Sequence, residues 1–271
     1  TSIGWAHMAI FGATQEKIAA EKAGIIKRGV PVVVGPMADG PREVIESIAR
    51  DAGAPIYRFG REFQLEYGAN GYVVRYPDGE VSGLRPGMRG HMQPENMSIA
   101  VMSVIAGGAM RSPEMMRDGV ARAFIPARFQ QFTYCGVPVI VDGAHNSDAA
   151  QNLRESLDAI GVKKVVLVTN MLEGHDLESF YSSIKDLVTD AIVVPIEFFR
   201  ARKPADTAET LRGMGIRATA YGDLAEGISF ATDLASKSDV TLLVTGSFYV
   251  AGDVGSFMGA PSTLDHELTV G

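Results

Sequence analysis

The amino-acid sequence predicts an α/β protein whose second half is a doubly wound domain. Three observations carry that expectation. Short β-branched runs alternate with longer amphipathic stretches along most of the chain. After Ile125-Pro126-Ala127-Arg128 this alternation becomes regular, which makes that segment the expected domain boundary. The apolar run Val137 to Val141 leads into a polar turn carrying Asp142, Gly143, His145 and Asn146, just before a helix start at Asn146 or Ser147. Ligands of open α/β sheets bind where strands end, and helix N-termini favour anions. A ribose, a phosphate or a small acid would suit that turn. Its polar residues would equally serve only to cap the helix.

In chain order, Thr1 to Gly4 reads as the end of a buried strand, followed by His7 and an apolar loop. Thr14 is a good N-cap for a helix to Ala23, stopped at Gly24, with Glu16 in its first turn and Lys22 in its last. Val30 to Gly35 reads as a buried parallel strand. The helix Pro41 to Ala52 places Val44, Ile45 and Ile48 on one face. Ile56 to Phe59 completes a β-α-β unit. Phe63 to Tyr67 and Tyr72 to Tyr76 alternate and end in turn signals, so they form an antiparallel ribbon. Helices follow at Pro94 to Ile105 and Pro113 to Ala123.

Beyond the boundary, strands are expected at Val137 to Val141, Lys164 to Thr169, Ala191 to Pro195, Ala218 to Tyr221 and Val240 to Thr245. The helices between them are Ser147 to Ile160, Leu177 to Val188, Asp206 to Met214 and Leu224 to Ser236. The first carries the stripe Ala149, Leu153, Leu157 and Ile160. The tail after Asp253 is Gly-rich and polar and is expected to be loosely ordered. The chain thus divides into 1–125 and 126–271.

Composition narrows the function. The chain has 271 residues, 46% of them hydrophobic and 21% charged, enough for a sizeable core. Its net charge is -7 and it has no basic run, against a nucleic-acid partner. No apolar run has the length of a membrane span, and no signal peptide is visible. The single cysteine, Cys135, fits a reducing cytoplasm. The first residue is Thr1, inside what reads as a strand-end motif, so the expectation is the C-terminal part of something longer.

Four segments then point to a family. They are Ser-Ile-Gly-Trp-Ala-His with Ile18 to Lys27 (Ile-Ala-Ala-Glu-Lys-Ala-Gly-Ile-Ile-Lys), and Gly90-His91-Met92-Gln93-Pro94-Glu95-Asn96. The third is Pro126-Ala127-Arg128-Phe129-Gln130 with Asp142-Gly143-Ala144-His145-Asn146, and the fourth Val244-Thr245-Gly246-Ser247-Phe248-Tyr249. In this order, across nearly the whole chain, they resemble folylpolyglutamate synthase/dihydrofolate synthase, a branch of the Mur-ligase-like ATP-dependent amide ligases. The resemblance implies an α/β protein: the C-terminal part of a P-loop-type ATPase domain, then a Rossmann-like ligase domain, with the active site between them. It implies that ATP phosphorylates a carboxylate of a folate or dihydropteroate and that L-glutamate attacks the acyl phosphate to form an amide.

The resemblance also assigns roles. His7 stands at a magnesium-binding histidine and Lys22 at a lysine carbamylated by carbon dioxide, whose carbamate offers magnesium the oxygens an ammonium cannot. Gln93 and Asn96 match residues near the nucleotide. Arg128 matches an arginine reaching the ATP phosphates, a task for a fixed planar cation. Asp142 and His145 match contributions to the nucleotide and the glutamate side, and Ser247 a serine near the amino-acid site. Without the resemblance, Lys22 reads as an exposed helix lysine, His7 as a loop histidine, Gln93 and Asn96 as helix N-terminal polarity, and Arg128 as one side of an interdomain salt bridge.

The sequence also departs from the family. It has no Gly-Lys dipeptide and therefore no phosphate-binding loop, which the family carries upstream of the His7 segment. Ala6 stands for an Asp, Met92 for a His, Ala127 for a Gly, and Gly174-His175-Asp176 for Asp-Lys-Asp. Three readings follow: a folate ligase represented by the part after its phosphate loop, the same chemistry on another acceptor, or a degenerate or split module that binds a nucleotide or a partner chain.

Overall fold

The computed structural model describes residues 14–261. The expected strand end at Thr1 to Gly4, His7 and the apolar loop after it lie outside them. Two compact units form, one from the residues up to Gly87 with Met92–Ala123, the other from Met88–His91 with the residues from Phe124 onward.

In the first unit, α1 (Gln15–Ala23) starts where the Thr14 hydroxyl accepts the Lys17 N–H at 3.3 Å. Strands β1 (Val32–Val34) and β2 (Ile56–Arg58) pair in parallel, with α2 (Asp39–Asp51) as their crossover. Helix α2 begins ahead of Pro41, because a proline in the first turn lacks only an N–H that has no helical partner anyway. Its Ile45 and Ala49 are buried, and Ile45 packs with Ala19, Ala23 and Val34.

The ribbon has three strands, β3 (Gln64–Gly68), β4 (Gly71–Tyr76) and β5 (Gly79–Leu84), all antiparallel. The third was not legible in the sequence. Two glycines weaken its strand propensity, and a register shift between Tyr72 and Val74 breaks the simple alternation. Helix α3 (Gln93–Ala106) buries Met97, Val101 and Met102 in a cluster with Phe63, Val74, Val81 and Leu84. Helix α4 (Pro113–Arg122) is capped by Ser112, whose hydroxyl accepts the Met115 N–H.

The second unit is built on one six-stranded sheet. Its strands are β6 (Gln130–Tyr134), β7 (Val137–Val141), β8 (Val165–Thr169), β9 (Val188–Val193), β10 (Ala218–Ala220) and β11 (Thr241–Thr245), in the order β10-β9-β8-β11-β7-β6. All neighbours are parallel except the β6–β7 hairpin. That hairpin turns at Cys135 and Gly136, both with positive φ (50° and 79°), the geometry that matches strand twist. Strand β6 was missed because Gln-Gln-Phe-Thr-Tyr is an edge sequence with little apolar signal.

Helices cover both faces. On one, α5 (Ser147–Ala159), α6 (Leu177–Ser182) and α7 (Pro204–Gly213) bury Leu153, Leu157, Phe180, Tyr181 and Leu211 against Ile140, Val165 and Leu167. On the other, α8 (Leu224–Ser238) and α9 (Phe248–Phe257) bury Ile228, Ala231, Val250 and Val254 against Val139, Val166 and Val168. Successive β8 residues thus face opposite layers, as a doubly wound sheet requires.

Three expectations need correction. Ile160 is not on the buried stripe of α5: it is the C-cap residue and exposed, and the buried positions are Ala150, Leu153, Ser156 and Leu157. Helix α6 stops at Ser182, and Val188 already belongs to β9. Ile184 and Leu187 are buried in the turns between them, so the apolar spacing outlasts the helix. Of the tail after Asp253, the part to Phe257 belongs to α9, and residues 262–271 lie outside the described residues. Buried Val250, Val254 and Met258 recur every fourth residue, and burial of about 1.5–3 kcal/mol per side chain outweighs a helix glycine's cost of about 1 kcal/mol.

Candidate functional site

Strands β7 and β11 are neighbours, yet their connections leave on opposite sides. Strand β7 leads to α5 on one face and β11 to α9 on the other. Such a switch point opens a crevice at the carboxyl ends of the strands. The residues there are Asp142 to Asn146 after β7, Gly246 to Phe248 after β11, and Thr169 to Met171 at the end of β8.

The turn after β7 is built around Asp142. One carboxylate oxygen accepts the Phe129 N–H at 2.8 Å and the other the Ala144 N–H at 2.9 Å. The Gly143 N–H donates to the Ala127 carbonyl at 2.9 Å. These bonds tie the Arg128 segment to the turn. Burial pushes the Asp142 carboxyl above its usual range, against the pull of both N–H donors and the nearby Arg128 and His145. Asn146 caps α5 by accepting the Ala149 N–H at 2.9 Å.

Arg128 sits between two residues of left-handed backbone, Ala127 (φ 57°) and Phe129 (φ 49°). Alanine bears strain in that conformation that a glycine would not. The Arg128 side chain is exposed, with its guanidinium carbon 4.8 Å from the centre of the Phe248 ring. Among the described residues it has no hydrogen-bond or salt-bridge partner, which leaves its donors available to solvent or an anion.

His145 directs its Nδ1 at the Gly143 carbonyl, 2.9 Å away. A carbonyl only accepts, so Nδ1 carries the proton and Nε2 keeps its lone pair in the neutral ring. The ring lies edge-on to His175 at 5.4 Å and tilted to Phe248 at 5.9 Å. His175, one of the departures noted above, thus reaches the site from the loop after β8.

Ser247 is buried, and its hydroxyl caps α9 by accepting the Val250 N–H at 3.1 Å. Gln93 and Asn96 lie in the first unit, in the opening turn of α3, Gln93 half-buried and Asn96 exposed. Lys22 is also in the first unit. It is exposed in the last turn of α1 and lines a cavity of about 260 Å³ with Lys27, Val32, Met37 and Ile45. His7 is outside the described residues. Among those described, no group of three or more His, Cys, Asp or Glu is placed to hold a metal ion. A bare Lys22 ammonium would repel magnesium, so Lys22 suits the ion only as its carbamate. No helix among the described residues is long and apolar enough to cross a membrane.

The structure therefore gathers Arg128, Asp142 and His145 into one cluster and adds Phe248 and His175 to it. Phe248 stood next to Ser247 in a quoted segment, but an apolar residue gives no sequence signal for a polar site. Asn170 was missed too, although a polar residue at the end of Val-Val-Leu-Val-Thr was a usable clue.

Comparison with known proteins gives the same direction. Residues 127–248 match the model of the Mur ligase, glutamate ligase domain. The folylpolyglutamate synthase of Lacticaseibacillus casei is 26% identical over 94% of this chain and 60% of its own length. The dihydrofolate synthase/folylpolyglutamate synthase of Escherichia coli is 30% identical over 94% of this chain and 58% of its own length. Among solved structures, E. coli FolC in complex with DHPP and ADP superposes with a TM-score of 0.82 at 29% identity, covering 96% of this chain and 60% of that one. Folylpolyglutamate synthase of Mycobacterium tuberculosis, complexed with ADP and AMPPCP, gives 0.83 at 25% identity over 95% and 62%. The chain thus spans about 60% of the length of these relatives, and its second unit carries a Mur ligase glutamate ligase domain in a Rossmann-like sheet.

Proposed function

We propose that this chain is the part of an ATP-dependent carboxylate–amine ligase that follows the phosphate loop, and that the whole enzyme joins L-glutamate to a folate or dihydropteroate acid. The observation that carries the reading is the cluster at the switch point: a guanidinium with no hydrogen-bond or salt-bridge partner among the described residues, a fixed imidazole and a half-buried carboxylate in a glutamate ligase domain. The first unit is then the C-terminal portion of the ATPase domain. ADP accompanies relatives of known structure, and their names specify the folate acceptor.

The chemistry has two steps. A carboxylate oxygen of the acceptor attacks the γ-phosphorus of ATP, and ADP leaves. The glutamate amine then attacks the acyl phosphate carbon, the carbon–oxygen bond breaks, and phosphate departs. Arg128 offers the phosphate oxygens a planar set of charged donors. Asp142 holds the Arg128 segment against the turn that carries His145. The Nε2 lone pair of His145 is open to take the proton that the attacking ammonium must lose. Magnesium would supply further charge neutralisation on the phosphates, held by His7 and a carbamylated Lys22.

The reading is tested with the natural polypeptide and with this chain alone. Pteroate- or folate-dependent incorporation of labelled glutamate is expected from a longer natural product carrying a phosphate loop. Little or none is expected from the 271 residues alone, because phosphate positioning dominates phosphoryl transfer. Within the longer product, Lys22→Ala should lower the rate and raise the magnesium requirement. An unchanged rate and metal dependence would remove Lys22 from the site. A natural product that binds Mg-ADP yet never ligates glutamate would favour the degenerate module, for which the altered Gly174-His175-Asp176 segment already speaks.

A further inference from the structure

We propose that Phe248 is a positioning residue. Its ring holds the Arg128 guanidinium over the Asp142–Asn146 turn and thereby sets the affinity of the site for a phosphate-bearing ligand. The proposal rests on the reading above and goes beyond it, since it concerns an apolar residue with no chemistry of its own.

Three observations converge on this ring. First, the guanidinium carbon of Arg128 lies 4.8 Å from its centre, within cation–π range, and the guanidinium has no hydrogen-bond or salt-bridge partner among the described residues. Second, the ring rests directly on Gly143. A Cβ at that glycine would come within 2.3 Å of the ring, so only glycine lets the ring lie this close to the turn. Third, the ring is fixed from behind. Phe248 is the first residue of α9, whose start is set by the bond from the Val250 N–H to the Ser247 hydroxyl. Phe248 is 40% exposed, and its ring also lies 5.9 Å from that of His145.

The physical consequence is preorganisation. An exposed arginine has large rotamer freedom, which it loses when it grips an anion. Left-handed backbone at Ala127 and Phe129 fixes where its stem begins, and the Asp142 carboxylate anchors the Phe129 N–H. The Phe248 ring restrains the far end. A guanidinium already ordered in the free protein loses less freedom on binding, which raises affinity without adding any contact to the ligand.

The experiment uses the longer natural product that carries the phosphate loop, in four forms: wild type, Phe248→Leu, Phe248→Tyr and Gly143→Ala. Two quantities are read, the ring-current shift of the Arg128 side-chain resonances and the affinity for Mg-ADP and for inorganic pyrophosphate. Wild type and Phe248→Tyr should show upfield Arg128 resonances and equal affinities. Phe248→Leu should lose the shift and bind both probes about three- to tenfold more weakly, the size of a cation–π contact. Gly143→Ala keeps the phenylalanine but displaces its ring, and should behave like Phe248→Leu. If Phe248→Leu loses the shift but keeps the affinity, the positioning role is wrong while the nucleotide reading stands. Absence of the shift in wild type overturns the arrangement itself. If wild type shows the shift and binds neither probe, the reading of the site falls and the positioning role falls with it.

Discussion

Gly246→Ala should lower the stability of the second unit by about 3–5 kcal/mol, the largest effect of any single methyl added near the site. Gly246 has φ 119°, a region that side-chain-bearing residues rarely enter, and such strain costs about 1–3 kcal/mol. A Cβ there would also stand 2.6 Å from the Thr169 hydroxyl and 2.7 Å from the Asn170 carbonyl oxygen. Neither neighbour can yield. Thr169 already bonds the Thr245 carbonyl at 2.6 Å and the Tyr181 hydroxyl at 2.7 Å, and the Asn170 carbonyl belongs to the backbone at the end of β8. Forced overpacking adds about 1–3 kcal/mol. The measurement is hydrogen exchange at the amides of β8 and β11, which reports this unit alone. Gly252→Ala is the control: an exposed α9 position with nothing within 4 Å of the added Cβ, where alanine should gain up to about 1 kcal/mol. Equal protection in the two variants would mean that β8 and β11 do not approach as closely as described.

The sequence made the parallel core legible because buried strands repeat one signal. Val-Pro-Val-Ile-Val, Val-Val-Leu-Val-Thr and Thr-Leu-Leu-Val-Thr are β-branched runs with caps on either side, and each strand starts within a residue of where that signal places it. What escaped lies at edges. Strands β5 and β6 have few buried side chains, so their pairing comes from backbone partners and a tight turn rather than from a pattern of residues. Of the site, the charged members were visible from motif and resemblance. The supports were not: Gly143 matters for what lies against it, and Phe248 for what lies over it. Both facts belong to the approach of chain segments about a hundred residues apart, which no local spacing encodes.

Asn170 shows how far that support extends. Its side chain is fully buried and every polar position on it is used. Its Nδ2 donates to the Val194 carbonyl and to the Arg202 carbonyl, each at 2.9 Å. Its Oδ1 accepts the Met171 N–H at 2.8 Å and the Thr207 hydroxyl at 2.9 Å. One amide thus joins the end of β8 to the chain beyond β9, to the segment before α7 and to α7 itself. Asn170→Ala would strand two carbonyls, an N–H and a hydroxyl in a dry interior. At about 1–3 kcal/mol for each group left unpaired, with some relief by water or relaxation, the expected loss is about 3–5 kcal/mol. Thr207→Val removes a single arm and should cost about 1 kcal/mol. In the double variant the two losses should fall short of their sum, because the hydroxyl has no partner left to lose once Asn170 is gone. Urea unfolding followed through this unit's amide exchange gives all three values. A cost below about 1 kcal/mol for Asn170→Ala, or strict additivity with Thr207→Val, would show that the amide is not the junction holding β8, β9 and α7 in register. A full loss would tie the site to it directly, since the Asn170 carbonyl oxygen lies 3.5 Å from the Ser247 hydroxyl that starts α9 and sets the place of Phe248.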